Sequence, residues 1–180
     1  MPTVVDRGDG VGVLVRPARP SDTATVLALV RELAEYEGAA DQVEAGEADL
    51  NEALFAPGAR AHALVAELGG EVVGTAVYFL SFSTWTGRHG LYLEDLYVRP
   101  AARRRGVGRA LLGALASEAL SRGLPRLEWS VLDWNEPAIS FYRALGATPM
   151  DEWTTFRVTG EALGALGGAP GPGAAPGPVG

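Results

Sequence analysis

The stretch LYVRPAARRRGVGRALL, residues 96–112, ends a run of alternating apolar residues and begins a helical pattern. Five of the 15 basic residues lie between Arg99 and Arg109, around Gly106 and Gly108. A strand that enters a helix through a glycine turn leaves backbone N–H groups free at the positive end of the helix. Phosphate oxygens fit such a site, and arginines add charge-assisted hydrogen bonds. The stretch therefore predicts a phosphate-binding turn, with an ordinary solvated arginine cluster as the alternative.

Two common phosphate-binding motifs are excluded by inspection. No Gly-Lys-Ser/Thr follows the glycines, as a Walker loop requires, and Leu111 stands where a dinucleotide fingerprint needs its third glycine. Binding to nucleic acid is also disfavoured, because the formal charge is −7 and no aromatic residues alternate with the arginines.

Composition narrows the class of protein. Hydrophobic residues make up 47% and charged residues 21% of 180 residues, which is typical of one globular soluble domain. No run approaches the ~20 apolar residues of a membrane span, and no signal peptide is evident, so a cytoplasmic location is expected. Cysteine is absent, and His62 and His89 form no ligand pair, so no metal site is predicted.

Hydrophobic periodicity predicts a mixed α/β domain over residues 11–166, between a flexible leader (1–10) and a disordered Gly/Pro/Ala tail (167–180). The clearest local signal is a hairpin that turns at Gly69-Gly70. Strands are predicted at 11–17, 62–68, 71–80, 91–98, 127–132 and 152–158. Helices are predicted from an N-cap at Ser21 to about Tyr36, over Glu47–Phe55, from Gly106 to about Arg122, and over Glu136–Leu145.

Four segments of the chain together carry a resemblance to a known family. RRRGVG resembles the Arg/Gln-x-x-Gly-x-Gly/Ala acyl-CoA signature of the GNAT superfamily of N-acetyltransferases. ELAEYE, LYLEDLYV and WNEPAISFYRALGA are similar to segments of the diamine (spermidine/spermine) N-acetyltransferases, and the similarity runs over about residues 13–158. The resemblance implies the GNAT acyl-CoA N-acyltransferase fold, whose central, mostly antiparallel sheet is flanked by helices and splays between its fourth and fifth strands. It also implies acetyl transfer from acetyl-CoA to a primary amine, and a homodimer.

The resemblance assigns residues to both ligands. Those implied to bind acetyl-CoA are Leu96, Tyr97, Val98, Arg103, Arg104, Arg105, Gly106, Val107, Gly108, Arg109, Asn135, Glu136, Pro137, Ala138 and Tyr142. Those expected at the amine are Tyr36, Glu37, Trp85, Glu94, Asp95, Glu128, Trp129, Ser130 and Glu152. The segment ATPMDEW is shorter than its counterpart in the family, so whether Asp151 or Glu152 contacts the amine stays open.

Two side chains are the candidate catalysts. An alkylamine with a pKa of roughly 10.4 is an ammonium ion at neutral pH and must lose a proton before it attacks. Strict alternation places Glu94 with Tyr92 on one face of its strand and Asp95 on the other, and burial of Glu94 would suit a general base acting directly or through water. The alternative for Glu94 is a solvated strand residue. Tyr142 matches the family's catalytic tyrosine and is the candidate acid, against the alternative of a core aromatic.

The leading prediction is therefore an acetyl-CoA-dependent N-acetyltransferase for a small di- or polyamine. An alternative keeps the chemistry but changes the acceptor to a lysine analogue or other amino acid, an aminoglycoside or a protein amine. A noncatalytic acyl-CoA sensor is a third hypothesis, and it is disfavoured because a binding module needs neither Glu94 nor Tyr142.

Overall fold

Each alternating apolar segment that has a neighbour to pair with forms a strand. The computed structural model describes residues 3–5 and 12–168, which divide into two compact units, Met1–Ser130 and Val131–Gly180. The strands are β1 (Thr3–Val5), β2 (Val13–Pro17), β3 (Ala61–Leu68), β4 (Glu71–Ser83), β5 (Arg88–Val98) and β6 (Leu127–Trp129). The helices are α1 (Thr23–Tyr36), α2 (Glu47–Phe55), α3 (Val107–Ser121), α4 (Glu136–Ala144) and α5 (Gly160–Leu166).

The first unit contains one sheet whose strands follow the order of the chain. Neighbours from β1 to β5 are antiparallel, and β6 lies parallel to β5. The predicted fourth and fifth strands are β5 and β6, and pairing between them covers only three positions, from Leu91 with Leu127 to Leu93 with Trp129. Beyond Leu93, β5 continues alone on that side. This confirms the mixed α/β fold with a mostly antiparallel sheet.

Helices cover both faces of this sheet. On one face, Val26 of α1 and Leu54 of α2 form a core cluster with residues of β3 and β4, including Val77. On the other face, a Cβ atom at Gly74 would lie 3.3 Å from the Val107 side chain, which shows how closely α3 approaches β4. The buried stripe of α3 recurs every fourth residue, as an amphipathic helix requires: Val107, Leu111 and Leu115.

The entry to α1 is fixed by a partly buried ion network. Arg16 of β2 donates to Asp22 at 2.6 Å and to Glu67 of β3 at 2.7 Å. Asp22, and not the predicted Ser21, precedes α1 as its N-cap, because a short 3-10 turn, Pro20–Asp22, comes first. Since Arg16 pairs with both carboxylates, removal of the Arg16 guanidinium would leave two partly buried negative charges uncompensated.

Several predicted boundaries need correction. Thr3–Val5, inside the predicted leader, form β1. The strand expected over 127–132 ends at Trp129. The strand expected over 152–158 is not formed: those residues have no regular secondary structure and are exposed. Within the described part of their own unit there is no strand with which they could pair. Helix α5 was not predicted.

The rest of the predicted leader, and the tail from residue 169, lie outside the described residues. Within the described residues, no helix is both long and apolar enough to span a bilayer.

Candidate active site

The turn between β5 and α3 has the backbone geometry of an anion site. Gly106 is the N-cap of α3 and adopts a left-handed conformation, with φ 80° and ψ 4°. No side chain caps the helix, and the first bond into it runs from the N–H of Ala110 to the carbonyl of Gly106 at 2.9 Å. The N–H groups of Val107, Gly108 and Arg109 therefore have no acceptor in the helix. The predicted strand–glycine turn–helix unit is present.

Backbone strain lies in the same turn. Arg104 has a φ of 61°, and it is the single non-glycine residue with positive φ in the part of the chain that the structure describes. A left-handed conformation costs a non-glycine residue roughly 1–2 kcal/mol. Strain of this kind concentrates at ligand-binding turns, where the surrounding structure holds it.

Two of the five arginines contact other parts of the fold, and one of these two, Arg103, is exposed. Arg99 pairs with Glu32 of α1 at 2.9 Å. Arg103 donates through Nε to the carbonyl of Val98 at 2.9 Å, and its guanidinium lies 5.2 Å from the ring centre of Tyr36. The other three are Arg104, Arg105 and Arg109, which are also exposed, and no carboxylate of the described residues forms a salt bridge with them.

Arg103 also occupies a hydrogen-bonding group at the open edge of β5. The Val98 carbonyl, expected at the pantetheine, already accepts one hydrogen bond from Arg103, and a carbonyl oxygen has capacity for one more. The backbone groups expected to bind pantetheine, those of Leu96, Tyr97 and Val98, lie past the last residue that pairs with β6.

A β-bulge at Glu94 changes which side chains share a face. Val77 of β4 is in register with Asp95, and the next residue, Tyr78, is in register with Leu93, so Glu94 has no partner in β4. Directly opposed residues of antiparallel strands share a face. Asp95 therefore lies on the face of the sheet covered by α1 and α2. The strict alternation assumed from the sequence is wrong here, because it placed Asp95 with Leu93.

The bulge separates the environments of the two carboxylates. Glu94 is exposed, contrary to the expected burial, whereas Asp95 is half-buried. Burial, followed by the nearby charges of Glu94 and Glu37, raises the pKa of Asp95 to about 6. Glu37 follows the last residue of α1, so the end of this helix and the bulge bring together three of the carboxylates predicted to contact the amine.

Glu128 of β6 lies on the same face of the sheet as Asp95, and Ser130, which follows β6, contacts this face. Glu128 is in register with Tyr92, whose hydroxyl lies 2.9 Å from the hydroxyl of Ser130. Tyr92 is opposite Phe79, which alternation places on the face of Val77 and therefore of Asp95. Trp129 pairs with Leu93 instead and is half-buried. Trp85, in the turn between β4 and β5, is 86% exposed, so it does not cover the core.

The sequence interpretation missed the position of Arg126 at this site. Arg126 bonds Glu128 at 2.6 Å and Ser81 at 3.3 Å, and it crosses β5 above Gly90. A lone glycine within a strand is a known signal of close approach by another group. It could have indicated this crossing, but nothing in the sequence identifies which side chain crosses.

The remaining predicted residues belong to the second unit. Asn135 is buried and caps α4, since its side-chain oxygen accepts from the N–H of Ala138 at 3.3 Å. Glu136 and Pro137 form the first turn of α4, and Tyr142, two turns further on, is half-buried next to Phe141. Asp151 and Glu152 are both exposed. Among the described residues, no group of three or more His, Cys, Asp and Glu side chains is placed to hold a metal ion.

Comparisons with known proteins agree on one family. The model of the acetyltransferase (GNAT) family matches residues 26–147. The chain is 42% identical to thialysine N-epsilon-acetyltransferase of Bos taurus over 167 residues, covering 87% of this chain and 98% of that protein. It is 31% identical to human spermidine/spermine N(1)-acetyltransferase-like protein 1, covering 83% of this chain and 23% of that protein. Among solved structures, the integron cassette protein VCH_CASS6 of V. cholerae aligns with a TM-score of 0.72 at 26% identity, covering 86% of this chain and 97% of that one.

Proposed function

Because the chain belongs to the acetyltransferase (GNAT) family, we propose that it transfers the acetyl group of acetyl-CoA to a terminal primary amine of a small basic molecule. One observation carries this proposal: the middle of β5 and the turn that follows its end carry opposite charges. Its middle holds the Asp95 carboxylate near Glu37, and its end leads into the uncapped, arginine-rich start of α3. An ammonium ion suits the first site and a diphosphate suits the second.

The chain's own groups fit acetyl-CoA, which supplies the activated acetyl thioester. The N–H groups of Val107, Gly108 and Arg109 would donate to the diphosphate, as helix N-termini do with phosphates. Exposed Arg104 and Arg105 would add charge-assisted hydrogen bonds. The open edge of β5 would pair with the pantetheine amides, and Asn135 with its neighbours in α4 remains the second proposed contact.

Proton transfer falls to the adjacent carboxylates and to Tyr142. Glu94 stays a candidate base, acting directly or through water, and its exposure allows it to meet an incoming ammonium ion. Asp95 is a second candidate, because a base with a pKa of about 6 is ionised at neutral pH and still basic enough to accept a proton. Tyr142 is the proposed acid that protonates the departing thiolate.

Two acceptor classes are supported by different observations. The acidic group of Glu37, Glu94 and Asp95 supports a di- or polyamine, which carries several positive charges. The 42% identity with a thialysine N-epsilon-acetyltransferase supports a lysine analogue.

A homodimer in the cytoplasm is part of the same proposal. Exposed aromatic residues of the second unit, Trp153 at 65% and Phe156 at 90%, support a partner subunit that would cover them.

The test is release of coenzyme A from acetyl-CoA in the presence of an amine panel. The panel contains spermidine, putrescine, thialysine, lysine and an aminoglycoside, and mass spectrometry locates the added acetyl group. We expect acetylation of a terminal amine in at least one small basic acceptor. Binding of acetyl-CoA without acetylation of any acceptor would support the sensor hypothesis instead, and absence of acetyl-CoA binding would overturn the proposed ligand.

A pair of variants separates the two candidate bases. If Asp95 is the base, kcat/KM falls below about pH 6 as its carboxylate is protonated, and Asp95→Asn abolishes this acid limb. Glu94→Gln should move the limb to lower pH, because the Glu94 charge helps to raise the pKa of Asp95. If Glu94→Gln abolishes the limb and Asp95→Asn only shifts it, the base is Glu94.

Stability gives an independent check on Asp95. Its pKa rises from 3.8 to about 6 on folding, so the charged carboxylate destabilises the folded state by about 3 kcal/mol above pH 7. This cost disappears as the pH falls below about 4, where Asp95 is protonated in both states. Asp95→Asn should therefore raise the free energy of unfolding at pH 8 but not at pH 3.5, as measured by urea denaturation. An equal effect at both pH values would contradict the raised pKa.

A further inference from the structure

Arg126 joins the two strands on either side of β5. It lies one residue before β6, its Nε donates to Glu128 Oε2 at 2.6 Å, and its Nη2 donates to Ser81 Oγ of β4 at 3.3 Å. A guanidinium has five N–H donors, and these bonds use two of them. The Arg126 and Glu128 side chains are 26% and 48% exposed, so both reach solvent and can meet a ligand.

Gly90 makes this arrangement possible. It lies in β5, in register with Ser81, directly below the Arg126 side chain. A Cβ atom at Gly90 would be 2.6 Å from Cγ and 2.9 Å from Nε of Arg126, which is closer than such atoms can approach. These are atoms within the side chain and not its flexible end, so any larger residue at position 90 displaces Arg126.

The ion pair between Arg126 and Glu128 lies on the same face of the sheet as Asp95, where we propose that the amine acceptor binds. Glu128 is in register with Tyr92, and the bulge places Asp95 on the same face three residues further along β5. Their partners in β4, Phe79 and Val77, are only two residues apart, so at ~3.3 Å per residue the two positions are about 7 Å apart along the strand. This separation is comparable with the length of a lysine-like chain between its terminal amine and its α-carbon substituents.

Building on the proposed function, we propose that Arg126 and Glu128 bind the zwitterionic head group of an α-amino acid acceptor whose terminal amine is acetylated near Asp95. Glu128 accepts from the α-ammonium group, and free N–H donors of Arg126 bind the α-carboxylate. A diamine has no carboxylate for Arg126, and its second ammonium group meets a carboxylate that Arg126 already compensates. Arg126 is thus a specificity-determining residue that favours amino acids over diamines.

The test compares two acceptors that differ only in the α-carboxylate: thialysine and its decarboxylated diamine. We expect Arg126→Gln to lower the ratio of their kcat/KM values, thialysine over diamine, at least tenfold, mainly through the KM for thialysine. Gly90→Ala should lower the ratio in the same direction without changing any charge, because it displaces Arg126. Arg126→Lys, which keeps the charge but loses the planar fork, should have an intermediate effect and serves if another variant folds poorly.

The matched control is Arg122→Gln. Arg122 is also exposed and also pairs with a glutamate, Glu118 at 3.4 Å, but it lies at the end of α3. Its loss changes the net charge equally and should leave the ratio unchanged. If Arg126→Gln and Gly90→Ala keep the wild-type ratio while both amines are still acetylated, the inference is wrong and the proposed function stands. If the wild-type protein acetylates other amines of the panel but neither of these two, the inference is likewise wrong, and if it acetylates no amine of the panel, the proposed function itself fails.

Discussion

The starts of α3 and α4 solve the same physical problem in opposite ways. Every helix begins with backbone N–H groups that lack an acceptor. In α4, Asn135 supplies one from its own side chain to the N–H of Ala138. In α3, the N-cap is Gly106, which has no side chain to offer. The start of α3 therefore leaves more backbone N–H groups available to an external ligand than the start of α4 does.

The surrounding charges strengthen the contrast. Glu136 lies in the first turn of α4, where a negative charge stabilises the helix dipole. The first turn of α3 has no acidic residue and instead follows exposed Arg104 and Arg105. Positive charge at the positive end of a helix is unfavourable until an anion arrives. In the proposed function, α3 would bind the diphosphate at its start, whereas α4 is capped from within and would contribute further along, at Tyr142.

The largest expected effect tests this division of roles at Tyr142. Tyr142→Phe removes the proposed acid and keeps the ring, so we expect kcat to fall about 10²-fold, within the range for acid–base catalysis. Isothermal titration should show that acetyl-CoA still binds. Wild-type turnover in this variant would remove Tyr142 from the mechanism and with it the catalytic role of α4.

Gly106→Ala, at the start of α3, is expected to weaken acetyl-CoA binding, which Tyr142→Phe leaves intact. A Cβ atom at a φ of 80° strains the turn by roughly 1–2 kcal/mol and disturbs the N–H groups that would hold the diphosphate. We expect the Kd for acetyl-CoA to rise about tenfold, as measured by titration calorimetry.

Gly113→Ala is the control for this change, because Gly113 lies within the same helix and a Cβ atom there meets nothing within 4 Å. It should stabilise the protein by about 0.5–1 kcal/mol and leave the Kd unchanged. Equal affinity in the Gly106→Ala and Gly113→Ala proteins would contradict a diphosphate site at the start of α3.

The smallest expected effect concerns the cap of α4. Asn135→Ala should lower the free energy of unfolding by about 1 kcal/mol, because the N–H of Ala138 loses its acceptor. Asn135→Asp keeps an acceptor oxygen and should retain most of the stability in urea denaturation. If the Asn135→Ala and Asn135→Asp proteins both kept full stability and both bound acetyl-CoA normally, the cap and the proposed cofactor contact would both be contradicted.

Local patterns were enough to predict most elements of the first unit. The Gly69-Gly70 hairpin and helix α2 were predicted correctly, because a glycine turn and a helical period are properties of adjacent residues. The predicted strand at 152–158 failed for the complementary reason. Alternation shows only that a segment could pair, and pairing requires a neighbouring edge that no local pattern supplies.

The candidate site shows the same limit at finer scale. The glycine turn before α3 could be located from RRRGVG, since its geometry depends on a few consecutive residues. The assignment of buried and exposed carboxylates could not, because one unpaired residue in β5 shifted every later side chain relative to β4. For the same reason, the pKa of Asp95 follows from burial beside Glu94 and Glu37, which only folding brings about.

The amino-acid sequence by itself determined the family, the order of most helices and strands, and the position of the glycine turn at which we propose that the diphosphate binds, because each depends on short, contiguous motifs. Only the tertiary structure decided that Asp95 is more buried than Glu94, that Arg126 crosses above Gly90, and that Arg103 donates to the carbonyl of Val98. These contacts join residues of different strands and helices, and their free energies depend on distances that sheet register and the bulge set.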